Sequence, residues 1–143
     1  MDVGDLIRLE FEAIGAPEGD RVGLSGPPVP LDFDVVQTVG LAVHELVTNA
    51  IKHGALSKAS GSLSVSWKVG SNPKHGRLLV LDWREAGISI INAPDRKGFG
   101  RELIERALTS SLGAKTDLSF TPDGLTCHIE LPLSSKAGTS ERQ

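Results

Sequence analysis

The sequence predicts one α+β domain, a two-layer sandwich in which a mixed, mostly antiparallel sheet is covered on one face by helices. Three segments have the apolar spacing of amphipathic helices, and five others alternate or form dense apolar runs. Four of the five strand segments are joined in pairs by short breaker-rich loops, as hairpins are. A chain of 143 residues is the size of a single domain. Because the helices interrupt the series of strands, we expect them to pack on one sheet.

Residues that break regular structure set the predicted limits of these elements. A first helix over 3–14 ends at Gly15, and Asp34 caps a long helix over 35–53 that ends at Gly54. We expect a third helix over 100–112, a loop over 85–98, a disordered tail over 134–143, and therefore a folded domain over 1–133. The strands are expected at 21–25, 62–69, 78–83, 116–120 and 126–131.

Composition excludes several classes of function. The net charge of −3, an aromatic content of 4% and the absence of tyrosine argue against a nucleic-acid-binding surface. The lone cysteine, Cys127, has no partner for an internal disulfide or a paired-cysteine metal site. No apolar run approaches the roughly 18 residues of a membrane span, and the acidic start is unlike a signal peptide. These features predict a soluble, cytoplasmic domain without membrane insertion.

The long helix predicted over 35–53 carries a polar stripe beside its apolar face. Glu45, Asn49 and Lys52 fall within roughly 60° of one another on a helical wheel. An Asn carbonyl suits magnesium, Lys suits phosphate, and Glu can orient or deprotonate a hydroxyl. The alternative is a solvated face with one intrahelical ion pair. The expected core face consists of Val35, Val39, Ala42, Val43, Leu46 and Ala50.

His44 lies one step round the same helix. A zinc metalloprotease helix is excluded, because Thr48 stands where the second metal-binding histidine would be needed. A purely structural role for His44, at the border between core and surface, therefore stays open.

Two glycine-containing segments could contact a nucleotide. A Gly-x-Gly motif before the third helix would let backbone N–H groups approach a phosphate, although the same motif is common in plain turns. It consists of Gly98, Phe99 and Gly100 and follows Lys97. It is not a dinucleotide fingerprint, since Leu103 occupies the third glycine position, and the chain has no P-loop. Glu85, after the strand over 78–83 and before Gly87, could accept from a base amino group or lie exposed in a turn.

The order of these three motifs resembles the Bergerat-type ATP-binding fold, and their sequences resemble the HWE sensor histidine kinases. Residues 44–56, HELVTNAIKHGAL, are similar to the asparagine box of that family. Residues 83–85 are similar to its first glycine box, and residues 98–104 to its second. The histidine, tryptophan and glutamate that name the family correspond to His44, Trp83 and Glu85. The resemblance covers residues 3–133.

This resemblance implies a site for ATP and Mg²⁺. Asn49 would coordinate the metal, Glu45 and His44 would be catalytic, with Glu45 assisting the γ-phosphate, and Lys52 would contact phosphate. Glu85 would replace the aspartate that binds the adenine amino group in most relatives. The other implied nucleotide-binding residues are His53, Gly87, Lys97, Gly98, Phe99, Gly100 and Arg101.

Two positions depart from the family pattern. Ile88 and Ser89 stand where a second glycine and a proline are usual, which predicts a stiffer entry to the lid expected over 95–97. His53 stands where tyrosine is common.

The resemblance further implies transfer of the γ-phosphoryl group to a histidine on a separate helical dimerisation domain, and from there to a response regulator receiver domain. None of the four histidines lies on a helix of the acceptor type, so we expect only the catalytic part here, a monomer in isolation and a homodimer in the complete kinase. One alternative is a degenerate adaptor that binds no nucleotide and docks a response regulator. Another is a serine kinase for an anti-anti-sigma partner, against which the Trp-x-Glu motif argues.

Overall fold

The computed structural model describes residues 1–16, 18–74, 76–88 and 113–133. The helices within these ranges are α1 (Val3–Ala13) and α2 (Phe33–Lys52), and a 3₁₀ turn (Ala55–Ser57) follows α2. The strands are β1 (Val22–Ser25), β2 (Ser62–Asn72), β3 (Gly76–Ala86), β4 (Lys115–Thr121) and β5 (Gly124–Pro132). The helix expected over 100–112 and the tail expected over 134–143 lie outside the described residues.

The five strands form one mixed sheet in the order β1-β2-β3-β5-β4. Strands β1 and β2 run parallel, and the other neighbouring pairs run antiparallel. Both predicted hairpins, β2–β3 and β4–β5, are therefore confirmed. The fold class predicted from the sequence, a mostly antiparallel sheet with helices on one face, is confirmed as well.

The alternation of side chains along the strands decides which face of the sheet meets the helices. In β2, Leu63, Val65 and Trp67 are buried, while the serines between them are exposed. These buried residues join Phe11 of α1 and Leu46 of α2 in one apolar core. Among the described residues, no helix combines the length and apolar character needed to cross a membrane.

Strand β3 continues two residues into the segment that was expected to be a loop. Glu85 lies within the strand, where it pairs with Leu63 of β2 and Leu125 of β5. The prediction of a loop from residue 85 is therefore wrong at its start. The strand extends through Glu85 because the neighbouring strands on both sides pair with it there.

Helix α2 begins earlier than the sequence indicated. Its N-cap is Asp32, which makes no side-chain capping bond, and Asp34 lies in the first turn. The prediction that Asp34 caps the helix is wrong, although a negative charge in the first turn still favours the helix N-terminus. Val47 is buried in addition to the expected core residues, and Val35 is only half-buried.

Candidate functional site

The centre of the candidate site is a buried carboxylate on β3. The side chain of Glu85 is 2% exposed. Its Oε1 accepts a hydrogen bond of 2.9 Å from the backbone N–H of Ala55, and its Oε2 accepts one of 2.8 Å from the indole Nε1–H of Trp83. The alternative of a solvent-exposed glutamate in a turn is therefore wrong.

The environment of Glu85 changes its acidity in two opposed ways. Burial raises the pKa of this carboxyl above its usual value, because the charged form loses its hydration. The bonds from Trp83 and Ala55 lower the pKa, since both donors favour the charged form, but they do not outweigh burial. Glu85 is consequently a desolvated acceptor held by two protein donors.

Two glycines make room for Glu85, one beside its carboxylate and one beside its backbone. A Cβ atom on Gly54, which follows α2, would lie 2.1 Å from Oε1 of Glu85. A Cβ atom on Gly124 of β5 would lie 2.0 Å from the backbone oxygen of Glu85. Real side chains do not tolerate such separations. Gly54 ended the predicted helix, but its role beside Glu85 was missed because the two residues are distant in sequence.

Trp83 is fixed from the other side by α1. Its ring stacks on Phe11 with a centroid separation of 5.7 Å and an interplanar angle of 18°. Because residues two apart in a strand share a face, Trp83 and Glu85 both point to the helical side of the sheet. The stacking therefore aims the indole N–H toward the carboxylate.

Asn49 on α2 is the second unusual polar residue of the site. Its side chain is 5% exposed, and its Nδ2 has no hydrogen-bond partner among the described residues. Leaving a buried polar group unpaired costs about 1–3 kcal/mol, so such a group in a functional site requires an explanation. An amide N–H donor without a partner among the described residues fits an acceptor atom of a ligand. Asn49 is thus unlike a residue of a solvated helix face.

The other residues of the polar stripe differ in exposure. Glu45, about one turn before Asn49, is half-buried, and Lys52 at the end of α2 is exposed. His53 is half-buried, and its backbone N–H donates to the carbonyl of Asn49 over 2.8 Å. The stripe predicted from the helical wheel therefore contains one deeply buried member between two accessible ones.

His44 makes its described contact away from Glu85. Its ring is exposed, and its Nδ1 lies 3.0 Å from Oε1 of Glu10 on α1. This contact lies between the two helices, and nothing described brings the ring to the carboxylate of Glu85.

The turn after β3 is also tightly built. Gly87 has a φ of 84°, and a Cβ there would lie 2.3 Å from the carbonyl oxygen of Ser60. The hydroxyl of Ser60 donates to the carbonyl of Gly87 over 2.9 Å. Ile88, which departs from the family pattern, is buried in the apolar core.

Several residues expected in the site lie outside the described part of the chain. They are the lid over 95–97, which includes Lys97, and the second glycine box with Gly98, Phe99, Gly100 and Arg101. Ser89 lies outside it as well.

Comparisons with known proteins agree with this fold. The chain is 37% identical over 117 residues to the blue-light-activated histidine kinase of Brucella anthropi, and the match covers 82% of the chain and 24% of that protein. It is 32% identical over 115 residues to the blue-light-activated histidine kinase of Brucella ovis, covering 80% of the chain and 23% of that protein. The chain thus spans about a quarter of the length of these curated relatives. No family model matches the chain.

Solved structures with the same fold include two histidine kinases. The blue-light activated histidine kinase of Erythrobacter litoralis EL346 superposes with a TM-score of 0.66 at 21% identity, over 94% of this chain and 42% of that one. The catalytic domain of the histidine kinase ThkA superposes with a TM-score of 0.62 at 14% identity, over 93% and 95% of the two chains. ThkA has also been solved in complex with the response regulator protein TrrA.

Proposed function

Because the chain belongs with the catalytic domains of histidine kinases, we propose that it binds ATP with magnesium and supplies the phosphoryl donor of a two-component sensor kinase of the HWE type. The γ-phosphoryl group passes to a histidine on a separate helical dimerisation domain, and a response regulator receiver domain accepts it next. This placement makes the domain cytoplasmic.

The observation that carries the proposal is the buried carboxylate of Glu85. A carboxylate has about four acceptor positions, and the protein donors Ala55 and Trp83 use two of them. The remaining acceptor capacity suits the amino group of adenine. Guanine presents a carbonyl oxygen at the corresponding ring position, which a carboxylate repels. Glu85 therefore supports recognition of an adenine nucleotide.

The phosphate side of the proposal rests on α2. Asn49 would hold Mg²⁺ through its side-chain oxygen, the type of donor atom that this metal prefers, from a buried position on α2. When bound, the metal neutralises charge on the phosphate oxygens. Glu45 lies about one turn away and assists at the reacting γ-phosphate, and exposed Lys52 contacts phosphate. We leave His44 out of this set, since its ring contacts Glu10.

The partners follow from the length of the relatives and from one neighbour. The relatives are about four times as long as the matched region, which leaves ample chain for an acceptor domain in such kinases. ThkA, which shares the fold, forms a complex with a response regulator. The adaptor alternative requires a site without nucleotide-binding residues, whereas Asn49, Glu85, Gly98 and Gly100 are all retained here.

Calorimetric titration of the chain with ADP, with and without Mg²⁺, tests the proposal. We expect magnesium-dependent binding that Asn49→Ala makes insensitive to magnesium. Glu85→Ala should weaken ADP binding by about 1.5–3 kcal/mol, the cost of one charge-assisted hydrogen bond, while GDP binding changes little. Asp117→Ala is the matched control, because Asp117 is an exposed acid of β4 on the face of the sheet that the helices do not cover. Absence of heat at high micromolar protein would contradict nucleotide binding and favour the adaptor.

A further inference from the structure

Arg21, immediately before β1, binds three backbone carbonyls of one loop. Its Nε–H donates to the carbonyl of Gly61 over 3.0 Å, and its Nη2–H donates to the carbonyl of Ala55, also over 3.0 Å. The same Nη2 also donates to the carbonyl of Lys58. All three acceptors belong to the segment 55–61 that links α2 to β2. A guanidinium is suited to this task, because its N–H groups are held in a rigid fork.

The opposite side of the same loop contacts the functional end of β3. The N–H of Ala55 donates to Glu85, and the hydroxyl of Ser60 donates to the carbonyl of Gly87. The loop is also closely folded on itself, because a Cβ on Gly61 would lie 1.9 Å from the carbonyl oxygen of Ala55. The loop 55–61 therefore forms a thin layer between Arg21 and the carboxylate.

Ala55 is the point where the two sets of contacts meet. Its carbonyl accepts from Arg21 and its N–H donates to Glu85, and the residue itself is fully buried. The two groups lie in successive peptide planes that meet at the Cα atom of Ala55. Because this residue is fully buried and Arg21 holds its loop at three carbonyls, a loss of those bonds would let the Cα shift and so displace the N–H as well.

We propose that Arg21 is a positioning residue: by holding the carbonyl of Ala55, it keeps the N–H of that residue on Oε1 of Glu85 and so sets the orientation of the carboxylate. This inference rests on the proposed function for its meaning in adenine recognition. Its physical core, the coupling of Arg21 to Glu85 through Ala55, does not require a nucleotide.

The indole N–H signals of the two tryptophans provide a direct test by NMR. Trp83 donates to Glu85, so its signal follows the ionisation of that carboxyl as pH changes. Trp67 donates to the carbonyl of Pro27, which does not titrate, and serves as the internal reference. A Trp67→Phe variant assigns the two signals.

We expect Arg21→Lys to move the titration midpoint of the Trp83 signal upward by about one pH unit, the equivalent of roughly one lost hydrogen bond. The direction follows because the Ala55 bond lowers the pKa of Glu85, so weakening that bond raises it. Lysine keeps the positive charge but lacks the fork, so a change of charge does not produce the shift. Arg21→Met should shift the midpoint at least as far.

Arg8→Met is the matched control, because Arg8 makes only an exposed contact of 3.5 Å with Glu18 among the described residues. It should leave the midpoint unchanged. A role confined to stability would lower the melting temperature of the Arg21 variants without moving the midpoint of the folded protein, and that result would overturn the inference. A shift in Arg21→Met but not in Arg21→Lys would mean a pure charge effect and would overturn it too.

Nucleotide titrations separate this inference from the proposed function. Both Arg21 variants should bind ADP about tenfold more weakly, while their affinity for GDP stays unchanged. A tenfold loss of affinity corresponds to the loss of roughly one hydrogen bond. Wild-type chain that binds no ADP contradicts the proposed function, while the NMR titration still tests the coupling. Wild-type chain that binds ADP, with Arg21 variants equal to it in both measurements, contradicts the inference alone. If Arg21→Met does not fold, Arg21→Lys carries the test.

Discussion

The indole N–H of Trp83 donates to a buried carboxylate oxygen of Glu85, two residues later on the same strand, over 2.8 Å. A buried charge requires hydrogen-bond donors to be tolerable, and this tryptophan provides one from inside the apolar core. The Trp-x-Glu spacing therefore has a physical basis: the period of two along a strand puts donor and acceptor on one face.

Trp83→Phe should destabilise the domain more than Trp67→Phe. Both changes remove an indole donor and leave a smaller ring. In the first, a fully buried bond to the carboxyl group of Glu85 is lost, which costs about 1–3 kcal/mol; in the second, a part-buried bond to a backbone carbonyl is lost. Urea unfolding at neutral pH measures the difference. Equal losses of unfolding free energy would show that the bond to Glu85 has no special weight.

Glu85 should make the domain less stable as pH rises. Its folded-state pKa lies above 4.5, the ordinary value for a glutamate side chain, so the native state holds the proton more tightly than the unfolded state. The unfolding free energy contributed by this group is therefore full below 4.5 and declines as pH rises through the folded-state value. Glu85→Gln does not titrate, so unfolding curves at a series of pH values should show a wild-type decline that the variant lacks. Parallel pH profiles would contradict the raised pKa.

Gly54→Ala should disturb the site more than Gly23→Ala. The new Cβ at residue 54 would lie 2.1 Å from Oε1 of Glu85 and 2.9 Å from the Cα of Ala50, whereas nothing lies within 4 Å of a Cβ at residue 23. Overpacking of this kind typically costs about 1–3 kcal/mol. Thermal unfolding and the Trp83 indole signal report the two expected effects. A Gly54→Ala variant with wild-type stability and an unmoved signal would mean that Glu85 has room to shift.

His128 should stabilise the domain at low pH. Its Nδ1 lies 2.6 Å from Asp82 and its Nε2 lies 3.0 Å from Glu130, and these bonds raise its pKa above 6.5, with the Asp82 bond as the largest cause. Asp117 of β4 is its partner in register on the other side. The stabilisation is full below 6.5 and is lost as pH rises through the folded-state value.

His128→Gln should therefore lower the melting temperature at about pH 5.5 more than at about pH 8. Asp82→Asn should reproduce most of this pH dependence, because it removes the largest cause of the raised pKa. A loss that is equal at both pH values would contradict the assignment.

The isolated chain should bind ATP but should not phosphorylate itself. Phosphoryl transfer requires an acceptor within roughly 3–3.5 Å of the γ-phosphate and in line with the leaving oxygen. His44 projects from the same rigid helix as Asn49, and its ring contacts Glu10. Radiolabelled ATP should give no acid-labile, base-stable label until a dimeric helical domain with an exposed histidine is added. Stable label on this chain, lost in His44→Ala, would make His44 an acceptor.

Local patterns determined much of this protein. The alternation in 62–69 placed Leu63 and Val65 in the core, and the dense apolar run over 78–83 predicted the central strand β3. Helical spacing located α2 with its polar stripe of Glu45, Asn49 and Lys52. The period of a strand or helix depends on backbone geometry, which neighbouring residues set. The order of the strands and helices indicated the fold class, and the order of the motifs added the resemblance to a known ATP-binding fold.

Contacts between distant residues decided the rest. Glu85 is a strand residue because Leu63 and Leu125 pair with it. It is a buried acceptor because the fold brings Ala55, 30 residues away along the chain, into hydrogen-bonding contact with it. Arg21 meets Gly61 across 40 residues. Desolvation and hydrogen bonding depend on what surrounds a group in space, and no periodicity along the chain encodes that. The sequence thus supplied the carboxylate, and the tertiary structure determined its burial, its donors and its acidity.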